Sequence, residues 1–474
     1  MDKLIEALKA VRETRTDSSR TEVVTRVHLT GRMTARERMA ALLDEDSAVE
    51  YGIIAGKTQE GDWVAETGGA DFVGTINGQV VIASSTDYTD QGGGYGAGRL
   101  ARLFSLAHEH RWPLVIFVDG GGSRARHPRA GKGHLEFGGP IGRFTIIDGN
   151  AELSGWVPTI AIVSGPSFAG HASLAAFSDF LIATKGSSIG LGGPPMVEAA
   201  LGVRVSAVEL AGVDMQEETG GIDLLVEDDV AAIAAARDYL AYYEDLESGE
   251  PAANSVQIDS IVPVEGIYDM YPVIEAIVDA HSMFELRPAF AKSLITLLAR
   301  IDGRTIGVLA NQPLVDEGAI DNDAATKISR FVEICDAYEY PILSLIDTPG
   351  CVATWETKGE DSIVEPGITR WHTRPIIAHQ NRTVPLFCVL AGRGGGLGPS
   401  LMTGFSSGRG VPALCLAWPT VEVGQDDGFS AMQYSKAIDD VVAPSETREK
   451  ISRVLRHFKR DLSRVEKKHP IDSW

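Results

Sequence analysis

The stretch Trp112-Pro113-Leu114-Val115-Ile116-Phe117-Val118-Asp119 reads as an aromatic-Pro turn running into a buried strand. Tyr340-Pro341-Ile342-Leu343-Ser344-Leu345-Ile346-Asp347 reads the same way, with its proline 228 positions further on. A second pair, Val157-Pro158 before TIAIVSG and Val384-Pro385 before LFCVLAG, is 227 apart, and a third, Asn77-Gly78 before QVVIA and Asp302-Gly303 before RTIGVLA, is 225 apart. Each is a common turn-then-strand pattern, but three at nearly one offset make the halves two copies of one fold.

Between the strands lie GRLARLFSLAHEHR and AATKISRFVEICDAYE, whose apolar residues recur at helical spacing. Strands alternating with helices predict βα crossovers and mainly parallel, helix-covered sheets, the α/β class. The polar stretch YYEDLESGEPAANSVQ, near residues 242 to 257, has no periodicity and contains Gly and Pro, so domains are expected at 1–250 and 258–474. Thr34 before ARERMAALLD, with Glu37 three residues on, predicts a capping box.

At 474 residues two cores are the default expectation. A formal charge of −22 argues against nucleic acid or an anionic membrane as partner, because counterion release needs concentrated basic surface. No stretch is long and apolar enough to span a bilayer, and charges interrupt the apolar residues at the N-terminus, unlike a secretory signal. Cys335, Cys351, Cys388 and Cys415 form no C-x-x-C pair, so no metal is expected and buried thiols in a cytoplasmic protein are the reading adopted.

After TIAIVSG, the chain continues through Gly165-Pro166-Ser167-Phe168-Ala169-Gly170-His171-Ala172 into a small-residue helical run. Gly392-Arg393-Gly394-Gly395-Gly396-Leu397-Gly398-Pro399-Ser400 stands in the same place in the second copy. A Gly-rich strand-to-helix turn presents backbone N–H groups to one spot, which suits an anion or a developing oxyanion. Counted from Pro158 and Pro385, Gly170 and Leu397 are both twelve residues on, so each copy offers an amide pair, Gly170/His171 and Leu397/Gly398. The plainer alternative is that these glycines allow close strand-to-helix packing. The loop from Gly120, Gly121 and Gly122 to His134 carries Arg124, Arg126, Arg129 and Lys132 and no acid. It is either a solvated charge run or a site for phosphate or carboxylate. The span Pro366–Val421 is likewise acid-free, with Arg370, His372, Arg374, His379, Arg382, Arg393 and Arg409, and suits an anionic substrate or a buried interface.

GRMTARERMAALLDEDSAVE, the two blocks IDGRTIGVLANQP and FVEICDAYEYPILSLIDTPG, then LAWPTVEV and IDDVVAPSETR come in the order typical of one family. From about residue 25 to about 455 the chain resembles the carboxyltransferase (β) subunits of biotin-dependent acyl-CoA carboxylases, the propionyl-CoA and acetyl-CoA type, as a shortened member. The resemblance implies two tandem crotonase-like (ClpP/crotonase) domains, with acyl-CoA on the N-terminal side and carboxybiotin on the C-terminal side. It also implies a homo-oligomer, such as a hexamer, whose sites are shared between copies, and a partner biotin carboxylase and biotin carrier. Gly170 and His171 would hold the thioester enolate oxygen, and Leu397 and Gly398 the ureido oxygen of biotin, which itself serves as base. Gly121, Gly122, Arg124, Arg126, Gly165, Ala169, Gly395 and Gly396 would line the substrate. Each preorganised donor contributes on the order of 3 kcal/mol to stabilising an enolate. Asp347-Thr348-Pro349-Gly350 matches a family motif and is read as shaping a turn.

Three departures stand against this pattern. His171 replaces the second Gly of the family's Gly-Gly-Ala, the second loop reads Gly395-Gly396-Leu397-Gly398 in place of Tyr-Gly-Gly-Ala, and a charged segment is missing after LAWPTVEV, where only a short bridge with Gln425, Asp426 and Asp427 remains. Two alternatives to carboxyl transfer therefore stay open: a biotin-independent acyl-CoA decarboxylase or C–C hydrolase, using the His171 ring, and a non-catalytic scaffold.

Overall fold

The computed structural model describes residues 1–54, 56–59, 62–65, 69–89, 92–93, 97–121, 146–246, 258–264, 266–351, 365, 367–404, 411–422 and 437–473. Contacts divide the chain into two compact units, Met1–Ala241 and Tyr242–Asp472. Each is built on a seven-stranded sheet. In the first the order is Val49–Glu50, Gly69–Ile76, Gln79–Thr86, Leu114–Phe117, Thr159–Val163, Phe180–Thr184 and Leu224–Val226. In the second it is Phe284–Glu285, Leu294–Ile301, Arg304–Asn311, Ile342–Thr348, Leu386–Gly394, Leu414–Ala417 and Asp440–Val441. In both, the first three strands run antiparallel and the remainder parallel.

The antiparallel part follows from the turn residues. Asn77 and Gly78 have φ of 53° and 81°, and Asp302 and Gly303 have 54° and 77°. Two successive positive φ values make the two-residue hairpin turn whose twist matches that of its strands. A carboxylate secures each turn from below: Asp44 accepts the N–H groups of Asn77 (3.1 Å) and Gly78 (2.8 Å), and Asp279 those of Asp302 (3.1 Å) and Gly303 (2.8 Å). Arg237 and Arg448 in turn neutralise these two aspartates. The duplication thus extends to side-chain roles.

The parallel strands keep one register in both units. Leu114 pairs with Thr159 and Ile342 with Leu386, so the prolines that precede them lie side by side. Apolar residues fill the space between sheet and helices. Helix Ala97–His110 buries Leu100, Leu103, Phe104 and Ala107 and exposes Arg102 and Glu109, the pattern its periodicity predicts. Its counterpart Asn322–Ala337 is buried on nearly every side, Lys327 and Arg330 included. Lys327 is accommodated there because its Nζ donates to the carbonyls of Phe290 (2.8 Å) and Leu294 (2.7 Å).

The capping box forms as its sequence predicts. The Thr34 hydroxyl accepts the Glu37 N–H at 3.1 Å, and the Glu37 carboxylate accepts the Thr34 N–H at 2.8 Å, opening helix Ala35–Leu42. All four cysteines are free, with Cys335, Cys388 and Cys415 buried and Cys351 partly exposed. Among the described residues no helix is long and apolar enough to cross a membrane.

Candidate active site

Both Gly-rich turns stand beyond the carboxyl ends of the parallel strands, where open α/β sheets place their ligands. In the first unit, Thr159–Val163 leads through Ser164 and Gly165 to the short strand Pro166–Phe168, which pairs with Ser188–Gly190. Ala169 then turns at φ 53°, ψ −121°, and helix Gly170–Ala176 begins. A non-Gly residue in that region is strained, by about 1–3 kcal/mol, and persists only where its surroundings hold it. Here the Ala169 N–H donates to the Gly190 carbonyl at 3.1 Å, and its own carbonyl accepts the Ser173 N–H at 2.9 Å. The result is an exposed Gly170 whose N–H makes no hydrogen bond among the described residues.

His171, one residue on, points inward. It is 4% exposed, and its Nε2 lies 2.6 Å from the Gly93 carbonyl. A carbonyl can only accept, so Nε2 carries the proton. The ring rests on the backbone of Gly120, where a Cβ would be 2.1 Å from Nε2. Burial lowers the imidazole pKa, opposed by the Gly93 and Phe168 backbone and by the charge of Asp119. The ring is therefore a neutral wedge between the turn and the Gly93 and Gly120 segments.

In the second unit, Leu386–Gly394 leads through Gly395 to Gly396, which turns at φ 50°, and helix Gly398–Thr403 follows. Gly396 occupies the place of Ala169, and Leu397 that of Gly170. Leu397 is 49% exposed, and its N–H is without an acceptor among the described residues. The Gly398 N–H, in contrast, donates to the Gly395 carbonyl at 3.0 Å. No side chain fits at Gly398, where a Cβ would meet the Thr348 Cγ2 at 2.5 Å, nor at Gly395, where it would meet the Pro349 carbonyl oxygen at 2.2 Å. Pro349 and Gly350 do shape this turn: the Gly395 N–H donates to the Thr348 carbonyl at 2.9 Å, and Gly350 has φ 109°.

The remaining expected residues divide sharply. Gly165 is buried and Gly121 exposed, with the Gly121 N–H on the Gly92 carbonyl at 3.0 Å. Gly122, Arg124 and Arg126, like Arg129, Lys132, Arg409 and the bridge at 425–427, lie outside the described residues. Several described cations of the acid-free span are used within their own unit. Arg393 pairs with Asp347 at 3.0 Å and Glu317 at 2.5 Å, Arg374 pairs with Asp472, and His372 bonds the Ile368 carbonyl at 2.9 Å. His379 is wholly buried. The sequence assigns Asp119 no role and Asp347 only that of shaping a turn, yet both carboxylates lie beneath the turns. The available signal was that both stand six residues after the strand proline.

Each turn thus directs an exposed backbone donor away from a buried, well-braced base, an arrangement that stabilises charge developing on a carbonyl oxygen. A carboxyl transferase domain model matches residues 26–465. The propionyl-CoA carboxylase beta chain of Roseobacter denitrificans is 32% identical over 84% of this chain and 78% of its own length. The methylmalonyl-CoA decarboxylase alpha subunit of Veillonella parvula is 31% identical over 84% and 79%. Among solved structures, the transcarboxylase 12S hexamer with methylmalonyl-coenzyme A and methylmalonic acid bound superposes with a TM-score of 0.84 at 28% identity, covering 99% of this chain and 98% of that one.

Proposed function

The chain belongs to the carboxyl transferase domain family, and from that membership we propose that it moves a carboxyl group to or from the α-carbon of an acyl-CoA, with the first turn serving the thioester. When the α-carbon loses a proton, or carbon dioxide in the reverse direction, the electron pair left behind delocalises onto the thioester oxygen as an enolate. The exposed Gly170 N–H, set by the strained Ala169, is the observation that carries this reading. A donor fixed before reaction stabilises that oxygen without reorganising. The adjoining His171 amide is the second candidate donor, and Gly165, Ala169 and Gly121 would shape the surrounding wall.

The second turn has the same design and would serve the carboxyl donor, through the Leu397 amide with Gly395 and Gly396 beneath it. Gly398 fits that role less well, because its N–H is already bonded to Gly395. Carboxybiotin supplies the carboxyl group in this reading, presented by a carrier and charged by a biotin carboxylase on other chains. The working form would be a homo-oligomer, as in the hexameric transcarboxylase core. The basic loop with Gly122, Arg124 and Arg126 would hold the CoA phosphates. The buried, hydrogen-bonded His171 ring favours this reading over one in which the imidazole shuttles protons.

The test is to incubate the protein with acetyl-, propionyl-, malonyl- and methylmalonyl-CoA, with and without free biotin, and identify products by mass spectrometry. Biotin-dependent conversion of a dicarboxyl-CoA to its acyl-CoA is expected, the carboxyl group passing to biotin, with no reaction of the acyl-CoAs alone. Gly170→Pro replaces the N–H by a ring carbon at a first helix position that accepts proline, though it also restricts Ala169 before it, and should lower turnover by about 100- to 1,000-fold. Gly170→Ala keeps the donor, has open space for its Cβ, and should stay within a few-fold of wild type. Equal activity in both variants would sink the Gly170 assignment, and consumption of a CoA ester without biotin would replace carboxyl transfer by biotin-free chemistry.

A further inference from the structure

We infer that Asp119 and Asp347 are equivalent positioning residues, each holding in place the backbone that enters the oxyanion turn of its own unit. This rests on the reading of the two turns given above. Asp119 stands two residues past the strand Leu114–Phe117 and Asp347 is the penultimate residue of Ile342–Thr348, each six residues after the strand proline. Both side chains are buried, at 2% and 4% exposure. The Asp119 Oδ1 accepts the N–H groups of Ser164 at 2.9 Å and Gly165 at 3.0 Å. The Asp347 Oδ1 accepts the Arg393 N–H at 3.1 Å and its Nε–H at 3.0 Å. In both units the carboxylate therefore reaches across to the neighbouring strand and bonds the segment that becomes the turn.

A third strand end joins the same junction. Thr86, the last residue of its strand, donates its hydroxyl to the Asp119 carbonyl at 2.7 Å. Asn311, the last residue of the equivalent strand, accepts the Asp347 N–H on its Oδ1 at 3.3 Å. Three adjacent strand ends are thus tied through one aspartate in each copy.

The approach is close enough to dictate neighbouring residues. A Cβ at Gly392 would lie 2.3 Å from the Asp347 Oδ2, and one at Gly165 would lie 2.1 Å from the Arg32 Nη1 and 3.4 Å from the Asp119 Cγ. A buried carboxylate is tolerated only with a partner charge. The units supply it from different places. Arg38, 3% exposed, lies 2.9 Å from Asp119 and is itself shared with Asp229 at 3.1 Å, whereas Arg393 comes from the very segment that Asp347 holds. Charge-assisted bonds to a backbone from a fixed side chain resist the small displacements that cost an oxyanion donor its effect. Both carboxylates are buried and bonded to backbone, so each acts through the backbone, not on a substrate.

The experiment combines turnover with amide hydrogen exchange on the full chain of Asp119→Ala, Asp119→Asn, Asp347→Ala and Asp347→Asn. Asn keeps an acceptor oxygen in the same place, so it is the variant to rely on should Ala not fold. Turnover of malonyl- or methylmalonyl-CoA with free biotin should fall about 100-fold in the Ala variants and about tenfold in the Asn variants. The KM for the CoA ester should change by no more than two- to threefold. Exchange should accelerate at least tenfold across 164–171 in the Asp119 variants and across 391–398 in the Asp347 variants, and not across the rest of the unit. Unchanged exchange in those segments, or acceleration spread over the whole unit, overturns the inference. Should wild type transfer no carboxyl group, the proposed function fails, while the exchange pattern still decides whether the aspartates hold the turns.

Discussion

The first turn sets His171 over Gly120, and the second sets Thr348 over Gly398. Gly120 and Thr348 are equivalent positions, as are His171 and Gly398. One small gap between a strand end and a turn is therefore filled from above in one unit and from below in the other. The exposed donors Gly170 and Leu397 look outward in both cases. The lesson is that the packing beneath a turn can be exchanged residue for residue while the outward backbone stays the same. The conspicuous histidine belongs to the part that is free to vary.

That exchange can be broken and restored. Gly120→Thr alone drives a side chain into the His171 ring and should destabilise the first unit by about 3 kcal/mol or more. His171→Gly alone leaves a cavity and an unpaired Gly93 carbonyl, at about 2–4 kcal/mol. The double variant copies the second unit and should recover at least about 2 kcal/mol of the summed loss, measured by urea denaturation. Additive losses would show that the two gaps are not filled equivalently.

A comparison of His171 and His379, the two buried imidazoles among the described residues, gives a smaller effect. Burial, together with the charge of Arg382, pushes His379 from 6.5 down to about 3. His171 is also pushed down by burial, with its carbonyl partners and Asp119 opposing. A group with a depressed pKa in the folded state leaves the unfolded chain binding the extra proton. Its stabilising contribution is intact above pH 6.5 and is lost as pH falls towards the folded value. The slope is roughly 1.4 kcal/mol per pH unit for one proton. His379→Gln should flatten the acid limb of stability from pH 6.5 to about 3, and His171→Gln should flatten it in the same direction below 6.5. An acid limb unchanged in both variants would contradict the assignment.

The smallest expected effects come from the pivots themselves. Gly396→Ala meets no atom within 4 Å, so its cost is that of the backbone alone, about 1–2 kcal/mol. Ala169→Gly releases strain but frees the unfolded chain, and should stabilise by less than about 1 kcal/mol. Thermal denaturation of both variants checks the pair; a destabilised Ala169→Gly would mean that the first pivot is not strained.

The duplication, the strand prolines, the hairpin turns and the Gly-rich strand exits were legible in the sequence because each depends on local chemistry. Proline fixes φ, Asn-Gly and Asp-Gly accept positive φ, and apolar runs need burial wherever they fall. Counting from Pro158 and Pro385 sufficed to align Gly170 with Leu397, since strands and turns of equal length keep equal register. The side-chain relations depended on which distant segments meet. His171 could be read as catalyst or packing until Gly93 and Gly120, 78 and 51 positions away, were seen to enclose its ring. The acid-free span suits an anionic substrate or a buried interface equally by sequence, and only the fold shows Arg393 and Arg374 paired with Asp347, Glu317 and Asp472. Asp119 and Asp347 share a place six residues after the strand proline, but that spacing marks them only as equivalent, because a carboxylate acquires partners only when neighbouring strands are brought together. Backbone conformation is a short-range property that the sequence by itself determined. The direction, burial and pairing of charged side chains are long-range properties, decided only by the tertiary structure.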